Sequence, residues 1–369
     1  MAFVIFCPHS PTRSLQTSNA LINQIWQEFV MIRHLPNPSV TLPGFAPWID
    51  QAKTYYLDAA KSDWRSGGLL YYYSFLNLAK AFLVYKGILT HSSLVSTSLY
   101  HGLSSNPQSP ARLTDFKFTI HPTAADRMNV FSMLYESVTG KQWPHPTQVT
   151  VNLASILGHC SDVSSELEAL YGIKHQVFRA QSLIRISGDT VWFEMAVHES
   201  NAEQIRSYLT PWIVEEVKLG QLNEMDKMDW LLSCHRPAIS FTDHAILRAE
   251  KRPFTSADKN STIQTIMNEA GNRLRDFSLP TVVGESFSPR WLFVCDATIG
   301  DQNLRWHPLL SNYLTAFVIS TILRYQPQLL DPKTRDYFLA EAWCSQAAVT
   351  TLRHFLMLFT APPLTIEAI

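Results

Sequence analysis

The chain has 369 residues, 46% of them hydrophobic and only 17% charged, with a formal net charge of -1. That length exceeds the roughly 250–300 residues at which one core stops growing, so two subdomains or one large domain with an insertion are expected. The near-neutral balance argues against a generic polyanion binder, which needs a basic excess on one face, and the low charged fraction leaves surface for a partner.

In chain order, Met1–Pro8 reads as a short strand, because it lacks a basic n-region and its apolar run ends too soon for a signal peptide. Ser14–His34 carries Leu15, Leu21, Ile22, Ile25, Trp26 and Phe29 at a helical period, and Pro36, Pro38, Pro43 and Pro47 break it. Trp48–Ser62 predicts a second helix, Trp64–Gly68 a turn, and Leu69–Lys86 an almost uniformly apolar helix closed by Gly87. On that third segment Tyr73, Asn77, Lys80 and Val84 share one stripe, so polar groups inside a packed helix must find partners there.

The period changes to two over Leu113–His121, where Phe116, Phe118 and Ile120 face one way, as in a half-buried strand. Asn152–Tyr171 reads as a helix ending at Gly172. Val177–Ile186 and Val191–His198 flank Ser187-Gly188-Asp189-Thr190 and predict an antiparallel hairpin. Asn201–Leu219 resumes helix, with Pro211 and Gly220 as punctuation, and Ala238–Phe254 mixes strand and helix signals. Ser261–Phe277 is amphipathic, Trp291–Cys295 looks like a buried strand, and Leu309–Tyr325, Thr334–Trp343 and Ala347–Phe359 supply three closing helices.

The expected fold is therefore α+β and predominantly helical, with buried central helices and a small antiparallel sheet or hairpin. Three regions follow: 1–110, helical and holding the tyrosine-rich helix; 111–300, mixed; and 301–369, helical and packing back on the first. The longest uncharged run, Pro308–Leu323, contains several polar residues and falls short of the about 20 residues a spanning helix needs. A cytoplasmic protein is expected, and the scattered Cys7, Cys160, Cys234, Cys295 and Cys344 suit reduced thiols better than a disulfide framework or a zinc ribbon.

No catalytic signature stands out. Gly284-Glu285-Ser286-Phe287-Ser288 lacks the second glycine of a nucleophile elbow and precedes a strand instead of following one. His159-Cys160 and Cys234-His235 are adjacent pairs with no spaced second pair to complete a metal site, and no phosphate-cradling glycine motif is present. The arginine and histidine spacing of a helical HEPN-type ribonuclease is missing too: Arg353-His354 is adjacent, and Arg236 to His244 is too long and contains Pro237. Arg248, Lys251 and Arg252, with Arg273, Arg275 and Arg290, read as a solvated edge before a basic patch. Trp143, Trp212, Trp230 and Trp306 read as core before interface anchors. Arg324, in the last turn before Pro327, either satisfies carbonyls there or hydrogen-bonds a ligand together with Tyr325.

Three landmarks carry a family resemblance: the run from Leu69 to Ala81, the tripeptide His101-Gly102-Leu103, and a late helix closing in Arg324-Tyr325-Gln326-Pro327. In order and separation they resemble the bacterial YaaC-like proteins from about residue 50 to about residue 330. The family often has a tryptophan shortly after that proline, where this chain has Gln328-Leu329-Leu330. The resemblance implies a soluble bacterial protein of a family with no established catalytic residues, and neither a metal nor a cofactor is expected. YaaC-like proteins also occur in bacterial anti-phage loci, including a system against nucleus-forming jumbo phages, where the YaaC-like component looks like a sensor working with a second protein. On that basis the expected function is a non-enzymatic infection sensor or adaptor, with an effector encoded nearby as protein partner and a phage-derived component as trigger. A homo-oligomer stays open, and nucleic acid is not the expected partner. The alternative is an enzyme acting on RNA or a nucleotide, with a pocket around Lys80, His101 and Arg324. The candidate binding residues are Tyr73, Asn77, Lys80, His101, Arg324 and Tyr325.

Overall fold

The computed structural model describes residues 19–32, 44–94, 98–105, 112–174, 176–222, 227, 244–275, 278–281, 290–294 and 296–360. The strand expected at Met1–Pro8, the Gly284–Ser288 segment, Trp230 and Cys234-His235 lie outside those residues. The described residues divide into a largely helical unit, from 19 to 176 and from 296 to 360, and a sheet unit, from 177 to 294.

The helices, in chain order, are α1 (Asn19–Ile32), α2 (Ala46–Lys61), α3 (Trp64–Tyr85), α4 (His91–Leu94), α5 (Val130–Thr139), α6 (Leu153–Leu157) and α7 (Ser164–Tyr171). They continue with α8 (Glu199–Leu209), α9 (Lys259–Arg275), α10 (Pro308–Tyr325), α11 (Arg335–Ala342) and α12 (Ala348–Thr360). The strands are β1 (Leu99–Tyr100), β2 (Leu103–Ser105), β3 (Lys117–Ile120), β4 (Met128–Asn129), β5 (Val149–Asn152), β6 (Val177–Ser187) and β7 (Thr190–His198). After them come β8 (Ile213–Lys218), β9 (His244–Ala249), β10 (Arg252–Pro253), β11 (Ser278–Thr281), β12 (Arg290–Val294), β13 (Ala297–Ile299) and β14 (Gln302–Leu304).

In the helical unit α3 is the hub, with α2, α10 and α12 packed along it. It starts earlier than its sequence suggests. Trp64–Gly68 is the first turn of α3 and not a loop, because the Asp63 carboxylate accepts from the Arg65 amide at 3.0 Å and caps the helix. Gly67 and Gly68 serve close packing instead of chain reversal: a Cβ on Gly67 would lie 2.9 Å from the Ala59 carbonyl oxygen, and one on Gly68 2.6 Å from Leu323 Cδ1. The Ser74 hydroxyl donates to the Ala52 carbonyl at 2.8 Å and ties α3 to α2. Phe75, wholly buried, stacks on Phe355 at 6.1 Å and meets Trp343 edge-on, so one α3 side chain joins α12 and the π-helical turn Trp343–Ala347 before it.

α10 is buried on every side from Pro308 to Ile322, which explains why no polar stripe is legible along it. His307 caps it, its Nδ1 accepting from the Leu309 amide at 3.1 Å, and Pro308 occupies the first turn, where its missing N–H is harmless. Small sheets border these helices: antiparallel β2-β3-β5, the parallel pair β1-β4 and the β13-β14 hairpin. The expected strand at Leu113 begins as a 3-10 turn, Leu113–Asp115, and pairs only over Lys117–Ile120. Asn152–Tyr171 is not one helix; Asn152 caps the short α6, a 3-10 turn follows at Ser161–Val163, and α7 ends at Gly172 with φ +67°.

In the sheet unit the expected hairpin forms, β6 to β7, with Gly188 at φ +60°, and it is the centre of a seven-stranded sheet ordered β11-β12-β6-β7-β9-β8 with β10 on β7. Val191, Phe193, Met195 and Val197 alternate onto one face, where Ile205 and Leu209 of α8 and Ile266 and Met267 of α9 cover them. The helix expected over Asn201–Leu219 stops at Leu209. Pro211 cannot continue it, and Ile213–Lys218, rich in β-branched residues, becomes edge strand β8 beside β9.

Candidate functional site

The most convergent polar group lies in the helical unit, where β1, β2 and the start of α5 meet. Gly102 takes φ +81°, and a Cβ there would approach the Asn129 Cβ to 2.9 Å, so only glycine lets the two segments touch. The turn fixes His101: its Nδ1 accepts from the Leu103 amide at 3.2 Å. Pairing of Leu103 with Ile120 then brings His121 alongside, where its amide donates to the Gly102 carbonyl at 2.9 Å and its Nε2 meets the Ser104 hydroxyl at 2.8 Å. Asn129, only 1% exposed, donates its amide to the carbonyls of His121 and Pro122, which leaves its Oδ1 buried with no partner among the described residues. Arg127 lays its guanidinium over the Tyr100 ring at 5.1 Å. Together these side chains and Leu103 line a cavity of about 140 Å³.

Behind His101 stand the helices that carry the sequence landmarks. Its ring centroid is 5.9 Å from that of Phe317 on α10. Lys80, half-buried on α3, holds its ammonium 4.7 Å from the Trp48 ring centre, and burial lowers it below the usual lysine value. Arg324 donates from Nε to the Ser320 carbonyl at 3.2 Å and lies over the Tyr325 ring at 5.0 Å. Burial by these neighbours, then the positive charges of Arg324, His121 and Lys80, hold His101 below the ordinary histidine value. His121 is lowered in the same direction by burial and by Arg127. Both rings are thus held toward the neutral form, in a positive field.

Of the six candidates, the structure brings Lys80 and Arg324 each within electrostatic reach of His101, and of these three only His101 lines the cavity. Tyr73 turns to Tyr55 and Tyr72, with ring centres 5.7 and 5.9 Å away, Asn77 is buried in α3, and Tyr325 is 68% exposed; none of these three lines the cavity. His121, Arg127 and Asn129 were not singled out by sequence. The usable signal was the alternating strand that ends at His121, since its pairing partner begins at His101-Gly102-Leu103.

The other constellations dissolve into structure. Among the described residues no group of three or more His, Cys, Asp or Glu side chains could hold a metal ion. Cys160 is buried, its thiol 3.6 Å from the Thr315 hydroxyl and pushed up to about 12 by burial. Arg248 pairs with Glu194 and Glu215, Arg252 with Glu269, and Lys251 and Arg273 stack on Trp192 and Trp212, so the basic run of the sheet unit is largely matched. Trp143, Trp212 and Trp306 are buried.

The cavity's own landmark, His101-Gly102-Leu103, and those on the helices, Lys80 on α3 and Arg324 on α10, all fall inside residues 12–361, which match the family model described as YaaC-like Protein. The chain belongs to the YaaC-like family. No curated protein and no solved structure matches it. The YaaC-like match covers both the helical unit and the sheet unit inserted in it. Among the described residues of this YaaC-like chain, no helix is long and apolar enough to cross a membrane.

Proposed function

We propose that this YaaC-like chain is a non-enzymatic sensor or adaptor of bacterial anti-phage defence, which recognises a phage-derived structure through the His101 cavity and recruits a partner effector. The observation that carries the recognition half is the convergence of His101, His121 and Arg127 on one cavity, with the positive charges of Lys80 and Arg324 reaching His101. These groups donate and attract; a histidine whose Nδ1 already accepts a backbone N–H is fixed in place for binding. Family membership supports the defence half, because YaaC-like proteins occur in anti-phage loci beside a second protein.

The test is recovery of the tagged chain from cells carrying its neighbouring genes, before and after infection. A specific protein partner that appears or strengthens on infection is expected, and recovery of no partner in either state would count against the sensor. An enzyme acting on RNA or a nucleotide is the second reading, favoured by a neutral His101 near cations, an imidazole that donates a hydrogen bond beside charge-stabilising groups. Cleavage of RNA or nucleotide by the purified chain, lost in His101→Ala, would establish that reading instead.

A further inference from the structure

We propose that the cavity beside His101 is a site for a phosphate monoester group, bound as its monohydrogen anion. The inference rests on the preceding reading only for the place of the site. The lining guanidinium, Arg127, forms no ion pair within 4 Å among the described residues, and Asp126, next to it, is exposed and unpaired with it; Lys80 and Arg324 add positive charge that reaches His101 without lining the cavity. Arg252, beside the larger cavity of the sheet unit, is the contrast, since Glu269 already holds it through two hydrogen bonds of 3.0 and 2.7 Å. Because the Nδ1 of His101 accepts from Leu103, the proton of the neutral ring sits on Nε2, so the ring offers a donor. Arg127 adds a planar fork of donors suited to phosphate oxygens.

The deciding feature is Asn129. Its buried Oδ1 is an acceptor with no donor among the described residues, and Asn129 lines the cavity together with Arg127 and His101, which supply donors. Sulfate and carboxylate bring no O–H near neutral pH, whereas a phosphate monoester with its second pKa near about 6 carries one on about a tenth of its molecules at pH 7 and on more of them below it. That one hydrogen bond selects phosphate, since a site with an unpaired buried polar group rejects a ligand that cannot satisfy it. The volume of about 140 Å³ is below the roughly 300–1,000 Å³ of sites that enclose a whole organic ligand, so the phosphoryl group enters and the rest of the molecule stays outside. The bearer is either a soluble monoester or a lipid headgroup ending in one.

Calorimetric titration of the purified full chain with inorganic phosphate, glycerol 3-phosphate and sulfate tests the site, and flotation with vesicles of phosphatidate or of phosphatidylcholine alone separates the two sources. Phosphate and glycerol 3-phosphate are expected to compete for one site and sulfate to bind at least about tenfold more weakly, which corresponds to about 1.4 kcal/mol. Arg127→Glu, at an exposed residue, and the milder Arg127→Gln should each weaken phosphate by at least about tenfold. Arg273→Ala in the sheet unit should change nothing. Capture by phosphatidate vesicles assigns the lipid source, and its failure beside retained glycerol 3-phosphate binding assigns the soluble one. Absence of phosphate binding, equal affinity for sulfate, or unchanged affinity in both folded Arg127 variants would overturn the proposal. Lost phosphate binding in a chain that still recovers its partner sinks the ligand class alone; phosphate binding without any partner sinks the sensor alone.

Discussion

Glu194 shows how much a single buried charge can organise. Its carboxylate, with no solvent access, accepts from Arg185 Nε at 2.9 Å, Arg248 Nε at 2.8 Å and Trp192 Nε1 at 2.8 Å, and so joins the three central strands β6, β7 and β9. Removing one partner of such a set leaves uncompensated charge, so Glu194→Ala should cost about 3–5 kcal/mol in urea unfolding, while Trp192→Phe should cost only about 1 kcal/mol for one lost hydrogen bond. A Glu194→Ala loss as small as that of Trp192→Phe would show that the arginines are held by other means. Lys80 is a smaller case. Its ammonium over Trp48 is worth about 0.5–2 kcal/mol, so Lys80→Ala should lower the melting temperature modestly and leave a folded chain. Sequence marked Lys80, His101 and Arg324 because each was a polar group in an apolar or family-like setting. It could not mark Asn129, whose significance is an oxygen left unpaired only once β1, β2 and α5 are in place.

Elements were most legible where period and punctuation agreed. The β6-β7 hairpin, α9 and α10 stand where alternation, helical period and Pro308 placed them. The failures have one cause: glycine, proline and short apolar runs are ambiguous until their neighbours are known. Gly67-Gly68 signals a turn by composition, yet it lies inside α3, where α2 and α10 come too close for a side chain. Glycine to alanine at an ordinary helical position gains about 1 kcal/mol. At Gly67 the new methyl would press on the backbone carbonyl of Ala59, so Gly67→Ala should instead destabilise by about 1–3 kcal/mol, measured by chemical denaturation. A stabilising Gly67→Ala would mean that α2 moves aside at little cost. Val130–Thr139 escaped notice as a helix because its strong signal is tertiary: Phe131 and Tyr135 are fully buried against Trp143 and Trp306.

At the scale of the whole molecule, the helical unit is built around histidines that folding keeps neutral. His354 is buried with neither ring nitrogen bonded among the described residues, and burial followed by Arg353 lowers it to about 3. His307 is lowered well below its ordinary value by burial and by His354, whose ring centre is 5.8 Å away, and its unprotonated Nδ1 caps α10. The unfolded chain protonates such groups near pH 6.5, and the folded chain does so only at lower pH. Between those values the unfolded state binds more protons, so stability is full above about pH 7 and falls on acidification by about 1.4 kcal/mol per pH unit for each such histidine. Urea midpoints measured from pH 7 to pH 4 should show that slope, and His354→Leu should flatten it. A midpoint unchanged across that range would contradict the buried, neutral assignment.

The central claim joins the His101 cavity to recognition, and protection of infected cells tests it most directly. Bacteria carrying the chain with its neighbouring genes are challenged with a panel of phages that includes jumbo phages, and plaque formation is compared for wild type, Arg127→Glu and Arg273→Ala at equal levels of folded protein. The account predicts protection by wild type and by Arg273→Ala, and its loss in Arg127→Glu. Full protection by Arg127→Glu, or no protection by the wild-type chain against any phage of the panel, would contradict it.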